Sequence, residues 1–338
     1  MSEEIKQDEL LENEEIEVEE VQEVKEKDEE VKEEIKAPRK YKSVKRANLI
    51  STILSYVLLV VLSIIWLYPI LWIVLQAFRV EYKDGQLVGT VVSHYFPKSY
   101  GFENFIRLFT ETFEDPQHAH QVKFLTWFGN TLLIAVCSCV FSTILVLSVA
   151  YCMSKLRFKA RKPLMNVSMI IGLFPGFMSM VAMYYILKAM NLTQSLVALI
   201  LVNSAGAGMG FQIAKGYFDI VPNSLVESAR LDGCSNFQIF YKIILPLSKP
   251  IIIYTALMSF TGPWMDFIFA RVILGVENTH LHTVAVGLYY MLYGPKPDSN
   301  VFTTFAAGCV CIAVPIVTLF MCLQRYYVEG VTSGSVKG

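Results

Sequence analysis

The sequence predicts an all-α integral membrane protein with six transmembrane helices. Of its 338 residues, 54% are hydrophobic and only 17% are charged, whereas soluble domains average about 45–50% and about 25%. The second observation is a series of long stretches without charge, such as the 32 residues between Arg46 and Arg79 and the 31 between Lys123 and Lys155. About 20 apolar residues in a helix cross a hydrocarbon core of roughly 30 Å. These features argue against a soluble enzyme.

Six such stretches supply the predicted spans. They lie near residues 49–78, 126–153, 164–187, 196–218, 250–274 and 302–324. Helices are expected because backbone groups in lipid must bond internally. Pro69, Pro175 and Pro315 lie within or near the ends of spans and favour kinks there.

Basic residues set the predicted orientation in the cell membrane. One cluster precedes the first span and another separates the second span from the third: Lys36, Arg39, Lys40, Lys42, Lys45 and Arg46, then Lys155, Arg157, Lys159, Arg161 and Lys162. Cytoplasmic flanks are enriched in Lys and Arg, so both termini are expected in the cytoplasm. The outer loops are then 79–125, 188–195 and 275–301, and residues 219–249 form the second cytoplasmic loop.

The chain divides by composition into a tail, residues 1–46, and a membrane domain, residues 47–338. Residues 1–36 hold 17 acidic residues and five lysines, and a basic flank follows them. Such a segment buries too little apolar surface to offset its ordering entropy, so a disordered, solvated tail is expected. A charged helix is the alternative.

No motif indicates catalysis or a metal site. The chain has no GxxxxGK[ST] loop for ATP, and none of its seven cysteines lies in a predicted outer loop. All five histidines do lie in outer loops, as His94, His118, His120, His280 and His282, but no ligand spacing supports a closed site. The GAGMGF stretch at 206–211 lies inside an apolar span, where small residues allow close helix approach. No catalytic residue, metal, bound cofactor or nucleic-acid partner is expected.

Two charges lie near the outer end of the fifth span. Asp266 and Arg271 are five residues apart, and charged groups near the membrane are costly and often functional. They either line a pathway or anchor the helix at the interface.

The second cytoplasmic loop is amphipathic. Pro222 with Asn223 and Ser224 predicts a helix start, and Gly233 predicts its end in a left-handed conformation. The predicted apolar side of this helix comprises Leu225, Ala229 and Leu231. A second amphipathic piece with Phe237, Ile239, Phe240, Ile243 and Ile244 is expected to stop at Pro246. An exposed apolar patch there implies a partner.

At these residues the chain resembles the EAA loop of ABC-importer permeases. That pattern is Glu-Ala-Ala, three residues, Gly, nine or ten residues, then Ile-x-Leu-Pro. Here it starts at Glu227, with Ser228 in place of the first Ala, and continues through Ala229, Asp232 and Gly233 to Leu245 and Pro246.

Three other stretches resemble carbohydrate permeases of the maltose type. Trp264–Phe267 resembles Trp-Asn-Asp/Glu-Phe, with Met265 departing from Asn, and Leu281–Leu288 resembles Thr-Leu-x-Val-Gly-Leu. Gly330–Gly338 resembles the Gly-Leu-Thr-x-Gly-x-Val-Lys-Gly tail of MalG-like subunits. The resemblance covers about residues 45–338.

The resemblance implies the type I ABC-importer permease fold and an importer for maltose-type or other oligosaccharides. A second permease would complete the pore, an ATPase dimer would bind ATP and Mg, and an extracellular or periplasmic protein would deliver sugar. A coupling helix at 224–234 would dock in the ATPase, with polar contacts from Glu227. Ala229 and Gly233 would permit close approach, and Pro246 would fix the exit angle of the second helix.

The resemblance also implies further sites. The C-terminal tail, 326–338, would reach the ATPase interface, with Thr332, Gly334 and Lys337 in the matching motif. Aromatic and polar groups near the bilayer midplane could hold sugar; the candidates are Asn203, Met209, Gln212, Trp264 and Asp266. An ion-coupled secondary transporter is the alternative function, which would predict an inverted repeat and buried acids. A membrane scaffold without transport is a third.

Overall fold

The computed structural model describes residues 44–83, 85–90, 94–114, 121–206, 210–294 and 300–332. The predicted acidic tail, 1–36, lies outside these residues. The chain divides into two compact units, Met1–Tyr68 and Pro69–Gly338, and the boundary falls within the first helix. In the first unit the described residues belong to this helix, and the apolar side chains from Leu49 to Tyr68 are exposed, as expected of a surface that meets lipid.

The described residues form fourteen α-helices and two short hairpins. The helices are α1 Val44–Ala77, α2 Glu103–Thr110, α3 Phe124–Lys155, α4 Arg161–Gly172, α5 Gly176–Ala189, α6 Leu196–Gly206, α7 Gly210–Ile220, α8 Asn223–Leu231, α9 Asn236–Ile239, α10 Leu245–Leu247, α11 Lys249–Met265, α12 Ile268–Leu274, α13 Val284–Tyr293 and α14 Phe302–Thr332. A π-helical turn, Phe240–Ile244, joins α9 to α10, and a 3-10 turn covers Thr279–Leu281. The hairpins pair β1 Tyr82–Lys83 with β2 Gln86–Leu87, and β3 Thr112–Glu114 with β4 Gln121–Lys123.

Within the described residues, four segments are long and apolar enough to cross a membrane as single spans. They are Leu49–Ala77, Phe124–Lys155, Leu196–Ile220 and Phe302–Gln324. Two bent pairs, α4 with α5 and the α9–α10 segment with α11, bring the number to six if each pair is one span. The chain is therefore a multi-span helical membrane protein, and six is the upper count.

The third predicted span, 164–187, is a bent pair of helices, and the kink predicted at Pro175 is present. Helix α4 ends at Gly172, α5 begins at Gly176, and the two helices differ in direction by 105°. Pro175 precedes α5 with φ −57° and ψ 131°. Proline removes a backbone donor and disfavours helical geometry in the residue before it, so the helix cannot continue through this point.

The fifth predicted span, 250–274, is also interrupted. Helix α11 stops at Met265, where Asp266 has an extended backbone with ψ 102°. The Asp266 carboxylate then accepts hydrogen bonds from the backbone N–H groups of Phe269 (3.2 Å) and Ala270 (3.4 Å) at the start of α12. The polar side chain satisfies donors that a continuous helix would have bonded itself.

Helix α3 is the central element of the second unit. It packs against α6, α7 and α11 along its length. One apolar cluster surrounds its C-terminal end and includes Ala150, Phe218, Ile239 and Ile244; a second surrounds its N-terminal end and includes Trp127, Trp264 and Leu288. The helix therefore connects the 219–249 loop to the opposite end of the bundle.

A charged cluster lies at that opposite end, in the segment that follows α1. Arg79 is fully buried, and its guanidinium donates to the carbonyl oxygen of His94 at 2.7 Å and lies 3.5 Å from the Glu81 carboxylate. Burial raises the pKa of Glu81, but hydrogen bonds from the Lys98 backbone N–H and from His94, together with the Arg79 charge, outweigh it and hold that pKa below its usual value. The cluster therefore holds the stretch around His94 and Lys98 against the residues that directly follow α1.

Candidate coupling loop and membrane cavity

The 219–249 loop folds into two helical pieces separated by a glycine turn. Helix α8 begins after Pro222 and ends at Leu231, close to the predicted start and end. Gly233 has φ +83°, a conformation that side chains with a Cβ adopt at a cost. The backbone N–H groups of Gly233 and Cys234 bond back to the carbonyls of Arg230 (3.0 Å) and Ala229 (2.9 Å), which closes the helix end.

The second piece starts with a reciprocal cap. The Ser235 hydroxyl accepts from the Gln238 backbone N–H, and the Gln238 side chain accepts from the Ser235 backbone N–H at 2.7 Å. This arrangement satisfies two donors at a helix start. The chain enters α9 in a fixed direction, so the angle between α8 and α9 is determined locally.

The predicted apolar side of α8 is wrong in part. The buried residues are Val226 and Ala229, whereas Leu225 is exposed and Leu231 is 89% exposed. The burial follows from the cluster at the end of α3, into which Val226 and Ala229 point. Leu231 instead extends into solvent beside charged neighbours.

The exposed face of α8 carries most of the predicted coupling residues. Glu227, Ser228, Asp232 and Gly233 are all exposed. Ala229 is not: it is 6% exposed and packs in the chain's own core. Its small size therefore serves the packing of α8 on the bundle. A Cβ built on Gly233 would meet no described atom within 4 Å, so the left-handed backbone, and not crowding within the chain, requires glycine.

The second helical segment ends at Leu247, one residue after Pro246 and close to the predicted stop. Pro246 lies in the turn that continues from the π-helical turn, and a proline lacks the N–H that would extend the backbone hydrogen bonding. The path bends by 87° at Ser248, between α10 and α11. Leu245 packs against the cluster at the end of α3, while Pro246 is exposed.

Sequence reasoning missed the contacts that hold this loop. Lys155, the last residue of α3, is 8% exposed, and its Nζ donates to the Val221 carbonyl at 2.7 Å and to the Asn223 side chain at 3.1 Å. The Tyr151 hydroxyl donates to the Asn236 carbonyl at 2.9 Å. These hydrogen bonds attach the C-terminal end of α3 to the start of α8 and to the start of α9. We name Tyr151 and Lys155 the inner clamp.

Lys155 belongs to a dense basic segment, which is why the sequence indicated only an orientation signal. The position of Lys155 could have revealed the clamp. Lys155 is the last residue of an apolar helix, whereas the other basic residues of the segment follow that helix. Its neighbour Ser154 also donates to Asp219 at 2.6 Å, and Asp219 accepts from Lys215 at 2.5 Å. These bonds join α3 to α7.

Asn203 is the predicted substrate-path residue that reaches a cavity. The cavity has a volume of about 380 Å³ and lies among α3, α6, α7 and α11. Its lining also includes Tyr254, Thr255, Ser259 and Gly262. The Asn203 amide nitrogen donates to the Leu199 carbonyl at 2.9 Å. Amide and hydroxyl groups within an apolar wall are suited to a neutral polar ligand.

The other predicted substrate-path residues take separate positions. Gln212 donates to the Ser168 hydroxyl at 3.3 Å, between α7 and α4. Trp264 is buried, with its ring 5.1 Å from that of Phe128. Asp266 caps α12, and Met209 lies outside the described residues. The structure therefore does not bring the four described candidates into one site.

The C-terminal candidates remain predictions. Thr332 is the last residue of α14, and Gly334 and Lys337 lie outside the described residues.

A second cavity, of about 270 Å³, lies beside Arg271. Its guanidinium carbon is 4.5 Å from the centroid of the Tyr289 ring, and Tyr293 and His282 also line the space. The Tyr289 ring thus holds the charge of Arg271 against an aromatic face at the end of α12.

Several apolar helices long enough to cross a membrane, a structured loop at one end of the bundle and a cavity with polar groups between the helices fit the class of transport permeases. Comparison with known proteins supports this class. The profile of the family described as "Binding-protein-dependent transport system inner membrane component" matches residues 146–333. The chain belongs to this family, whose members are ABC transport permeases: membrane transporter subunits, not enzymes.

Two curated relatives align with this chain over nearly their whole length. The maltodextrin transport system permease protein MalD of Streptococcus pneumoniae (strain ATCC BAA-255 / R6) is 34% identical over 297 residues, 88% of this chain and 99% of that protein. The galactooligosaccharides transport system permease protein GanQ of Bacillus subtilis (strain 168) is 32% identical over 290 residues, 86% of this chain and 96% of that protein.

A solved structure shares the fold. It is the crystal structure of a bacterial ABC transporter involved in the import of the acidic polysaccharide alginate; the match has a TM-score of 0.69 at 22% identity and covers 83% of this chain and 98% of that one. The type I permease architecture implied by the sequence resemblance thus has a close counterpart.

Proposed function

We propose that this chain is the pore-forming subunit of an ATP-driven importer for oligosaccharides of the maltodextrin type. Its relatives bear the names of permeases for maltodextrins and galactooligosaccharides. A second permease would complete the pore, an ATPase dimer would supply ATP hydrolysis, and an external sugar-binding protein would deliver substrate. Both termini and the 219–249 loop would face the cytoplasm.

The observation that carries this proposal is the exposed face of α8. The helix is held on the bundle by Val226 and Ala229 and by the inner clamp, yet it presents Glu227, Arg230 and Leu231 to solvent. A rigid helix with an unpartnered mixed surface is suited to transmit motion from a partner. ATP-driven closure of the ATPase would move α8, and α8 would move the helices attached to it.

Gly233→Trp tests this docking. We expect the variant to reach the membrane in wild-type amounts but to lose co-purification with the ATPase and sugar uptake, because a large side chain would separate the two surfaces. Gly233→Asn is the matched control, since asparagine tolerates the left-handed conformation with a small side chain. Wild-type uptake by the tryptophan variant, with the ATPase still bound, would contradict the docking role.

The cavity around Asn203 is the part of the proposed sugar path that can be tested directly. Gly262→Leu would fill it, since a Cβ at Gly262 already lies 4.0 Å from the Asn203 side-chain oxygen. We expect uptake to fall about tenfold or more, equivalent to about 1.4 kcal/mol. Gly216→Leu is the control, because a Cβ there meets no described atom within 4 Å. Equal uptake by the two variants, measured with radiolabelled maltotriose, galactotriose and arabinotriose, would remove this cavity from the path.

A further inference from the structure

Helix α2 is attached to the ends of three membrane-spanning helices. The Asn104 amide nitrogen donates to the carbonyl of Ala77, at the end of α1, at 3.1 Å. Its side-chain oxygen accepts from Thr303, in the first turn of α14, at 2.7 Å. The Phe109 ring lies 5.6 Å from that of Phe124, the first residue of α3. These contacts place α2 at the level where three apolar segments begin or end.

The two faces of α2 differ sharply. Asn104 and Leu108 are buried against the bundle. Phe102, which immediately precedes the helix, Ile106 and Phe109 are 67%, 61% and 39% exposed. Their spacing of four and three residues puts them on one side of the helix. That side carries no charge.

The charged residues of α2 lie on a different side of the helix from the apolar face. Glu103 and Arg107 follow the helical spacing on a different side, and Arg107 pairs with Glu111 at 3.0 Å. The apolar side instead approaches the start of α3, where Phe109 contacts Phe124 and the next residue, Leu125, is 56% exposed. On a membrane-spanning helix such a surface meets lipid.

We propose that α2 is an interfacial helix whose Phe102–Ile106–Phe109 face lies in the boundary between lipid headgroups and acyl chains. An amphipathic helix with Phe and aliphatic residues on its apolar face lies at this depth with that face in the membrane. The occupant of this face is lipid, because the face is uncharged, aromatic and level with the helix ends that enter the bilayer. The inference depends on the membrane topology and not on the transported substrate.

Photo-crosslinking in the intact membrane tests this assignment. Ile106→p-benzoylphenylalanine, and Phe109→p-benzoylphenylalanine as the more conservative variant, are irradiated in cells fed tritiated palmitate. We expect lipid-labelled permease from both positions. The matched control is Arg107→p-benzoylphenylalanine, on the charged side of the same helix, which should give several-fold less label.

Two outcomes would overturn the assignment. A protein adduct from position 106 or 109, identified by mass spectrometry as the second permease or the binding protein, would make this face a protein interface. Lipid labelling no greater than that at position 107 would place the face in water. If the wild-type chain does not transport sugar, the lipid assignment is unaffected. That result would count only against the proposed function.

Discussion

Gly287→Ala is expected to destabilise the folded permease by about 1–3 kcal/mol or more, the typical effect of overpacking. A Cβ built on Gly287 would lie 2.1 Å from Cδ2 and 2.3 Å from Cε3 of Trp127. The indole cannot easily retreat, because it is fully buried and its Nε1 donates to the Thr279 carbonyl at 2.8 Å. The measurement is the melting temperature of the detergent-solubilised protein.

Gly129→Ala is the matched control for this prediction. Gly129 lies in the same helix as Trp127, and a Cβ there meets no described atom within 4 Å. Because alanine favours helix over glycine, the control should be neutral or slightly more stable. In addition, Trp127→Leu should reduce the penalty of Gly287→Ala if the clash is its cause. Equal melting temperatures for the two glycine variants would refute the close contact.

Lys155→Met should uncouple the loop from the bundle. The substitution removes the ammonium group and leaves the Val221 carbonyl and the Asn223 side chain without this donor. Loss of a buried hydrogen-bond partner costs about 1–3 kcal/mol. We expect the variant to bind the ATPase weakly and to hydrolyse more ATP per sugar transported, because α8 would no longer move rigidly with α3.

Lys162→Met controls for the loss of a positive charge. Lys162 is an exposed member of the same basic segment, so the two variants change the orientation signal equally. Only Lys155→Met should alter the ratio of ATP hydrolysed to sugar transported. If Lys162→Met has the same effect, the charge of the segment and not the inner clamp is responsible.

Local patterns revealed much of the coupling loop. The helix start at Pro222 and the turn at Gly233 were predictable, because each depends on the conformational preference of one residue. Which side of α8 is buried was not predictable, since Leu225 and Leu231 are as apolar as Val226. That choice depends on the cluster at the end of α3, which is assembled from residues distant in the sequence.

The proposed substrate path shows the same limit. Asn203, Trp264 and Asp266 are all plausible sugar contacts by residue type, yet only Asn203 among these three lines the cavity described here. Trp264 fills an aromatic cluster, and Asp266 satisfies backbone donors where α11 ends. Residue chemistry limits what a side chain can bind, whereas its neighbours decide what it does bind.

By itself the sequence determined that this is a helical membrane protein and where its apolar segments lie, because the cost of placing charges in lipid acts on each segment separately. It also carried the loop motif that indicates an ABC-importer permease. Only the tertiary structure decided the bend at Ser248, the hydrogen bonds from Lys155 and Tyr151 to the loop, and the exposure of the apolar face of α2. These features arise from contacts between segments, whose energies depend on distances that no local pattern encodes.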